Sequence, residues 1–87
     1  MDEKWIASFR EKLDQFYAWP SLYTFKFIVP LGKEAEVARL FPKHEVTYKP
    51  SKNGNYVSVT AQVMMPSADS VIAIYQSAAA IEGIVAL

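Results

Sequence analysis

Residues 49–63, KPSKNGNYVSVTAQV, decide the fold of this 87-residue chain. A Pro-Ser-Lys-Asn-Gly-Asn cluster leads straight into a run whose side chains alternate. Val57, Val59, Ala61 and Val63 point one way, and Tyr56, Ser58, Thr60 and Gln62 the other. An alternation of period two with one apolar face predicts a half-buried strand. The preceding His44-Glu45-Val46-Thr47-Tyr48-Lys49 pairs with it across an Asn53-Gly54 turn, which makes a hairpin.

Working outward, residues 22–29 form another alternating run. Tyr23, Phe25, Phe27 and Val29 share one face, and Thr24 and Lys26 share the other. Pro30-Leu31-Gly32 breaks it, and residues 33–41 follow as a short helix with Val37, Leu40 and Phe41 inward and Pro42 as its stop. Past the hairpin, Ser67 caps a second helix, with Asp69 adding favourable charge to the first turn. Ala68, Val71, Ile72, Tyr75, Ala78 and Ala79 are its inner stripe, and Gly83 is placed as a left-handed C-cap. Residues 84–87 close the chain as a short apolar strand.

Ahead of all this, residues 2–17 read as an amphipathic helix with Ile6, Phe9, Leu13 and Phe16 in its stripe, joined by Trp5 and Tyr17. Asp2 and Glu3 sit at its positive end, and Trp19-Pro20 ends it, since the residue before proline is pushed out of the α region. The stripe must be buried somewhere. Two readings stand: packing on the second face or an edge of the chain's own sheet, or contact with a second subunit or partner.

The predicted class is therefore α+β: a ferredoxin-like β-α-β-β-α-β sandwich after an N-terminal amphipathic helix. Right-handed crossovers put the first and third strands in the middle, giving a four-stranded antiparallel sheet of order 4-1-3-2. Lys49 and Pro50 then lie on an edge strand, where an exposed charge and a missing N–H are tolerated.

The totals narrow the function. A chain of this length makes one domain, and the absence of cysteine excludes disulfides and thiolate metal sites. Nine basic and nine acidic residues cancel, so no global field draws nucleic acid. No apolar run approaches the ~20 residues of a membrane span, and the charged start lacks the apolar core of a signal peptide. A soluble cytoplasmic protein without a cofactor is expected.

Several of these residues also resemble a known family. Phe25-Lys26-Phe27, Gly32, Ile74-Tyr75, Val85-Ala86-Leu87 and above all the Pro50-Ser51-x-x-Gly54-x-Tyr56-x-Ser58-Val59 run are similar to the YbeD-like family of small bacterial proteins of unknown function. The resemblance covers residues 19–87 and leaves residues 1–18 as an added helix. It implies a ferredoxin-like fold similar to ACT regulatory domains and a lipoate-related regulatory role. It carries no catalytic residues.

The chemistry agrees with a non-enzymatic protein. His44 is the only histidine, the acidic residues fall mostly on helices without a pair demanding a shared proton, and no serine has a partner constellation. Neither a catalytic nor a metal site is expected. The candidate ligand-binding residues are Lys26, Gly32, Lys49, Lys52, Asn53, Gly54, Asn55 and Tyr56. Turn N–H groups and ammonium groups make a small anion site conceivable at the hairpin, although Asn and Gly also serve turns for backbone reasons alone. Gly32 sits where ACT domains bind effectors, without the acidic residue of that pattern. Expected partners are a small-molecule effector or a protein, with the chain itself a homodimer. The alternative is a single-stranded RNA binder using Tyr56, Lys26 and Tyr23 on the central strands, against the neutral charge balance.

Overall fold

The computed structural model describes residues 3–87. Its elements run α1 (Glu3–Phe16), β1 (Ser21–Pro30), α2 (Glu34–Ala38), β2 (Thr47–Pro50), β3 (Tyr56–Met65), α3 (Ala68–Ala78) and β4 (Val85–Ala86). The sheet order is β2-β3-β1-β4, the expected order read from the other edge, and every pairing is antiparallel. Asp2, expected in the first turn of α1, lies outside the described residues.

β1 and β3 pair along their whole lengths, from Ser21 opposite Met65 to Pro30 opposite Tyr56, without a bulge. One-to-one register keeps the alternation of both strands in phase. Phe25, Phe27 and Val29 from β1 and Val57, Val59, Ala61, Val63 and Met65 from β3 are all buried on the same face. Val37 and Phe41 cover that face from one side, and Val71, Ile72, Tyr75 and Ala78 from the other. α2 is shorter than the predicted 33–41, with turns rather than regular helix leading to Pro42.

α3 starts on a reciprocal cap: Ser67 Oγ accepts the Ser70 N–H at 3.1 Å, and Ser70 Oγ accepts the Ser67 N–H at 3.2 Å. Ala79, assigned to the buried stripe, is exposed because the helix turns past it as its C-cap. Gly83 does take a positive φ of 77° but lies beyond that C-cap, in the turn that leads into β4. A Cβ there would stand 2.7 Å from Pro30 Cγ, so this turn is pressed against the end of β1.

α1 packs in cis, beside α3 on the helix-covered side, and not on the second face of the sheet. Leu13 is buried, the Phe9 ring meets Tyr75 edge-on at 5.6 Å, and Tyr17 lies 5.4 Å from Tyr23. Arg10 bonds Asp69 at 2.7 Å across the two helices, an exposed pair worth ~0–1 kcal/mol that sets register more than stability. Two stripe residues are not buried: Phe16 is 82% exposed, and Trp5, stacked obliquely on Phe9, is about half exposed. α1 therefore meets its neighbour along a narrower strip than its apolar residues span. The peptide from Trp19 to Pro20 is cis, at the bend between α1 and β1.

Tyr75 is the hub of the aromatic core, with Phe25 and Phe27 at 5.5 and 5.6 Å and its hydroxyl 3.0 Å from that of Tyr23. Burial pushes both hydroxyls above the ordinary tyrosine range, and for Tyr75 the bond to Tyr23 adds to the shift. A group whose pKa is higher folded than unfolded contributes stability that is complete below the unfolded value and declines above it. Stability should therefore fall once the pH exceeds about 10. Tyr75→Phe, with no proton to lose there, should show a smaller alkaline decline in urea midpoint than the parent chain.

Val59 is 1% exposed and sits opposite Phe27. Val59→Asp places an isolated carboxylate there at several kcal/mol, against a total stability of ~5–10 kcal/mol for such a domain. Its amide NMR spectrum should collapse to the dispersion of an unfolded chain.

The glycines give a graded test. Gly54→Ala, at φ 72° with open space around it, should lose ~1 kcal/mol by denaturant melting. Gly83→Ala adds the Pro30 clash and should lose clearly more.

Candidate functional site

The helices cover one face of the sheet and leave the other open. On that open face the register aligns Lys49 with Ser58, Ser58 with Ile28, and Ile28 with Val85, one residue from each strand. Lys26 stands one step further along β1 on the same face, opposite Thr60. At the hairpin end Tyr56 presents its ring, half exposed, toward this row. Lys26, Ile28, Lys49, Pro50, Ser51, Lys52, Tyr56 and Ser58 together line an open depression of about 640 Å³.

The hairpin that closes it differs from a two-residue Asn-Gly turn. Ser51 donates its N–H to the Tyr56 carbonyl at 2.8 Å, so residues 52–55 form the loop. Within it the Gly54 N–H reaches the Ser51 carbonyl at 3.0 Å, and Gly54 alone takes the left-handed conformation. A two-residue type I′ turn needs positive φ at both central residues, and Asn53 does not adopt it. Ser51 Oγ also accepts the Tyr56 N–H at 3.3 Å, which fixes the start of β3 and hence the Tyr56 backbone. The Pro-Ser in this run is thus the staple of the turn.

Four of the eight expected ligand residues, Lys26, Lys49, Lys52 and Tyr56, come together in the depression. The other four do not line it. Asn55 gives its carbonyl to the Leu31 N–H at 2.9 Å and ties the hairpin to the loop after β1. Asn53 and Gly54 shape the turn. The Gly32 amide is occupied by the Glu34 carboxylate of its own chain, so it is closed by an internal contact. Ile28, Pro50, Ser51 and Ser58 complete the lining and were not among the candidates. Ile28 and Ser58 follow from alternation, two residues beyond Lys26 and Tyr56 respectively.

Three lysines from three separate segments border the depression, and among the described residues no acidic side chain lines it. The positive charge is therefore local in a chain of zero net charge. The lysine side chains reach water, so attraction is screened, with a range near ~10 Å at moderate salt. Ile28, Pro50 and the Tyr56 ring supply apolar surface beneath the ammonium groups. The arrangement suits an anion that carries an apolar or planar body.

Tyr23 is not part of this surface. It lies opposite Val63 on the helix-covered face, half-buried, with its hydroxyl on Tyr75. Among the described residues Tyr56 is the sole aromatic on the open face, since Tyr48 stands opposite Val59 on the other side. His44 is exposed and lines a separate shallow depression with Glu45, Thr47, Thr60 and Gln62. Among the described residues no three His, Asp or Glu side chains converge as a metal site, and no helix is long and apolar enough to cross a membrane.

Residues 14–87 match DUF493, described as a protein of unknown function. No curated protein and no solved structure matches the chain. The match takes in every strand, α2, α3 and all residues of the basic depression, and begins within the last turn of α1. The β-α-β-β-α-β core, the Pro-Ser-stapled hairpin and this match agree: the chain belongs to the DUF493 family, to which the YbeD-like proteins it resembles also belong.

Proposed function

We propose that this protein is a non-enzymatic regulatory module that binds a small anionic effector on the open face of its sheet. The convergence of Lys26, Lys49 and Lys52 around Tyr56, with no acidic side chain among the described residues lining the same depression, carries this reading. A ligand carboxylate or phosphate meets ammonium groups, and its body lies against Ile28 and the Tyr56 ring. The seat differs from the one that the ACT likeness implied by the family resemblance suggests, because Gly32 is engaged by Glu34. Lipoate, a carboxylate with an apolar chain, is one compound of the right chemistry. Among the described residues no carboxyl group lines the depression, and His44 lines a separate one, which supports binding over acid–base chemistry at this place.

The single-stranded RNA reading loses one of its two aromatics to the core, which leaves Tyr56 alone for stacking.

Titration of the full chain with lipoate, inorganic phosphate and a nucleoside monophosphate at low salt, followed by amide NMR, tests the proposal. Shifts should cluster at Lys26, Lys49, Lys52, Tyr56 and Ser58. Lys49→Ala should weaken binding by roughly threefold to tenfold, about 0.7–1.4 kcal/mol, at unchanged melting temperature. No shift at millimolar ligand, or shifts centred elsewhere, would overturn the assignment.

A further inference from the structure

The lysines of the basic depression sit at two places. Lys49 and Lys52 flank Pro50-Ser51 at the hairpin end, and Lys26 lies across β3, opposite Thr60. Two strand spacings across and two residue rises along put the Cα atoms of Lys26 and Lys49 ~12 Å apart. Among the described residues none of the three is held in an ion pair, whereas Arg10 is engaged by Asp69 and Lys33 by Glu36. Glu45 lines the neighbouring depression together with Thr60, so the positive field is least opposed at the hairpin end.

That end also carries a hydroxyl. Ser51 Oγ accepts the Tyr56 N–H at 3.3 Å, and its own hydrogen is left to donate. Two ammonium groups and one O–H, all donors, thus line the same end of the depression. Between this end and Lys26 lie Ile28 and the half-exposed Tyr56 ring.

A ligand with a single carboxylate sets one negative charge against three positive ones, and a ligand with more charge gains more from the same seat. The apolar floor makes a second distinction. A planar ring covers Tyr56 and Ile28 without freezing rotatable bonds, whereas an alkyl chain such as that of lipoate gives up that freedom.

We propose that the effector is a nucleoside polyphosphate, its phosphates held by Lys49, Ser51 and Lys52 and its base laid against Tyr56 and Ile28. Lys26 borders the base on its far side. The inference rests on the anion-binding reading of this depression and adds the class of anion.

Titrations of the full chain with AMP, ADP, ATP, tripolyphosphate and lipoate, without divalent cations and followed by amide NMR, test it. Affinity should rise roughly twofold to fivefold with each added phosphate from AMP to ATP. Lipoate should bind more weakly than AMP, and tripolyphosphate, which has the charge but no ring, more weakly than ATP. Lys52→Ala should flatten the AMP-to-ATP series. Tyr56→Ala should weaken ATP and leave tripolyphosphate unchanged, and Tyr56→Phe should restore ATP binding. Equal affinity for lipoate, AMP and ATP, or tripolyphosphate matching ATP, would overturn the polyphosphate assignment and leave the anion-binding proposal standing. Binding of none of these anions would overturn both. Binding of a thymidine oligonucleotide at the same residues, with ATP unable to compete, would give the face to nucleic acid and overturn the assignment as well.

Discussion

The bulge-free pairing of β1 with β3 is the constraint on which the rest of the molecule depends. Ten consecutive one-to-one partners lock two alternating sequences in phase. A slip of one residue would send Phe25, Phe27 and Val29 to water and bring Lys26 and Thr24 against the helices. Once the phase is set, everything else has a side. The helices go to the apolar face, and the polar and basic residues are gathered on the other without any element being devoted to them.

Tyr75 converts that sheet into a three-layer contact. It rises from α3 onto Phe25 and Phe27, receives Phe9 of α1 on its edge, and shares a hydroxyl contact with Tyr23. Its buried oxygen has a partner, so the core accepts a polar atom without leaving it unsatisfied. The same contact explains why α1 lies beside α3. The aromatic surface able to receive Phe9 is on the helix side, and the opposite face offers lysines and hydroxyls. Phe16 and part of Trp5 remain exposed because a single helix stripe wider than the groove between α1 and α3 cannot be wholly covered.

The open face shows how a site forms as a by-product of register. Lys26, Lys49 and Tyr56 are separated along the chain, and each is unremarkable alone. Pairing of β2 with β3 and of β3 with β1 puts them on one surface, and the Ser51 staple brings Lys52 to its rim.

Local signals in the chain determined the strands, the capped α3, the helical α1 and the order of the sheet, because alternation, caps and turn residues act over a few neighbours. Lys26, Lys49, Lys52 and Tyr56 were legible for the same reason, as residues on outward positions of predicted strands and their turn. Other features depend on distant partners and were decided only by tertiary structure. Tyr23 already shares the face of Phe25 in the alternation, but its hydroxyl partner Tyr75 comes from far along the chain. Gly32 is closed by a Glu34 side chain whose rotamer the sequence does not specify. Asn53-Gly54 becomes part of a longer loop because the β2–β3 register places Ser51 opposite Tyr56. The side on which α1 docks was undetermined in the sequence, since amphipathicity states that a face must be buried and does not state against what. Packing shape makes that choice, and it exists only once the sheet and α3 are in place.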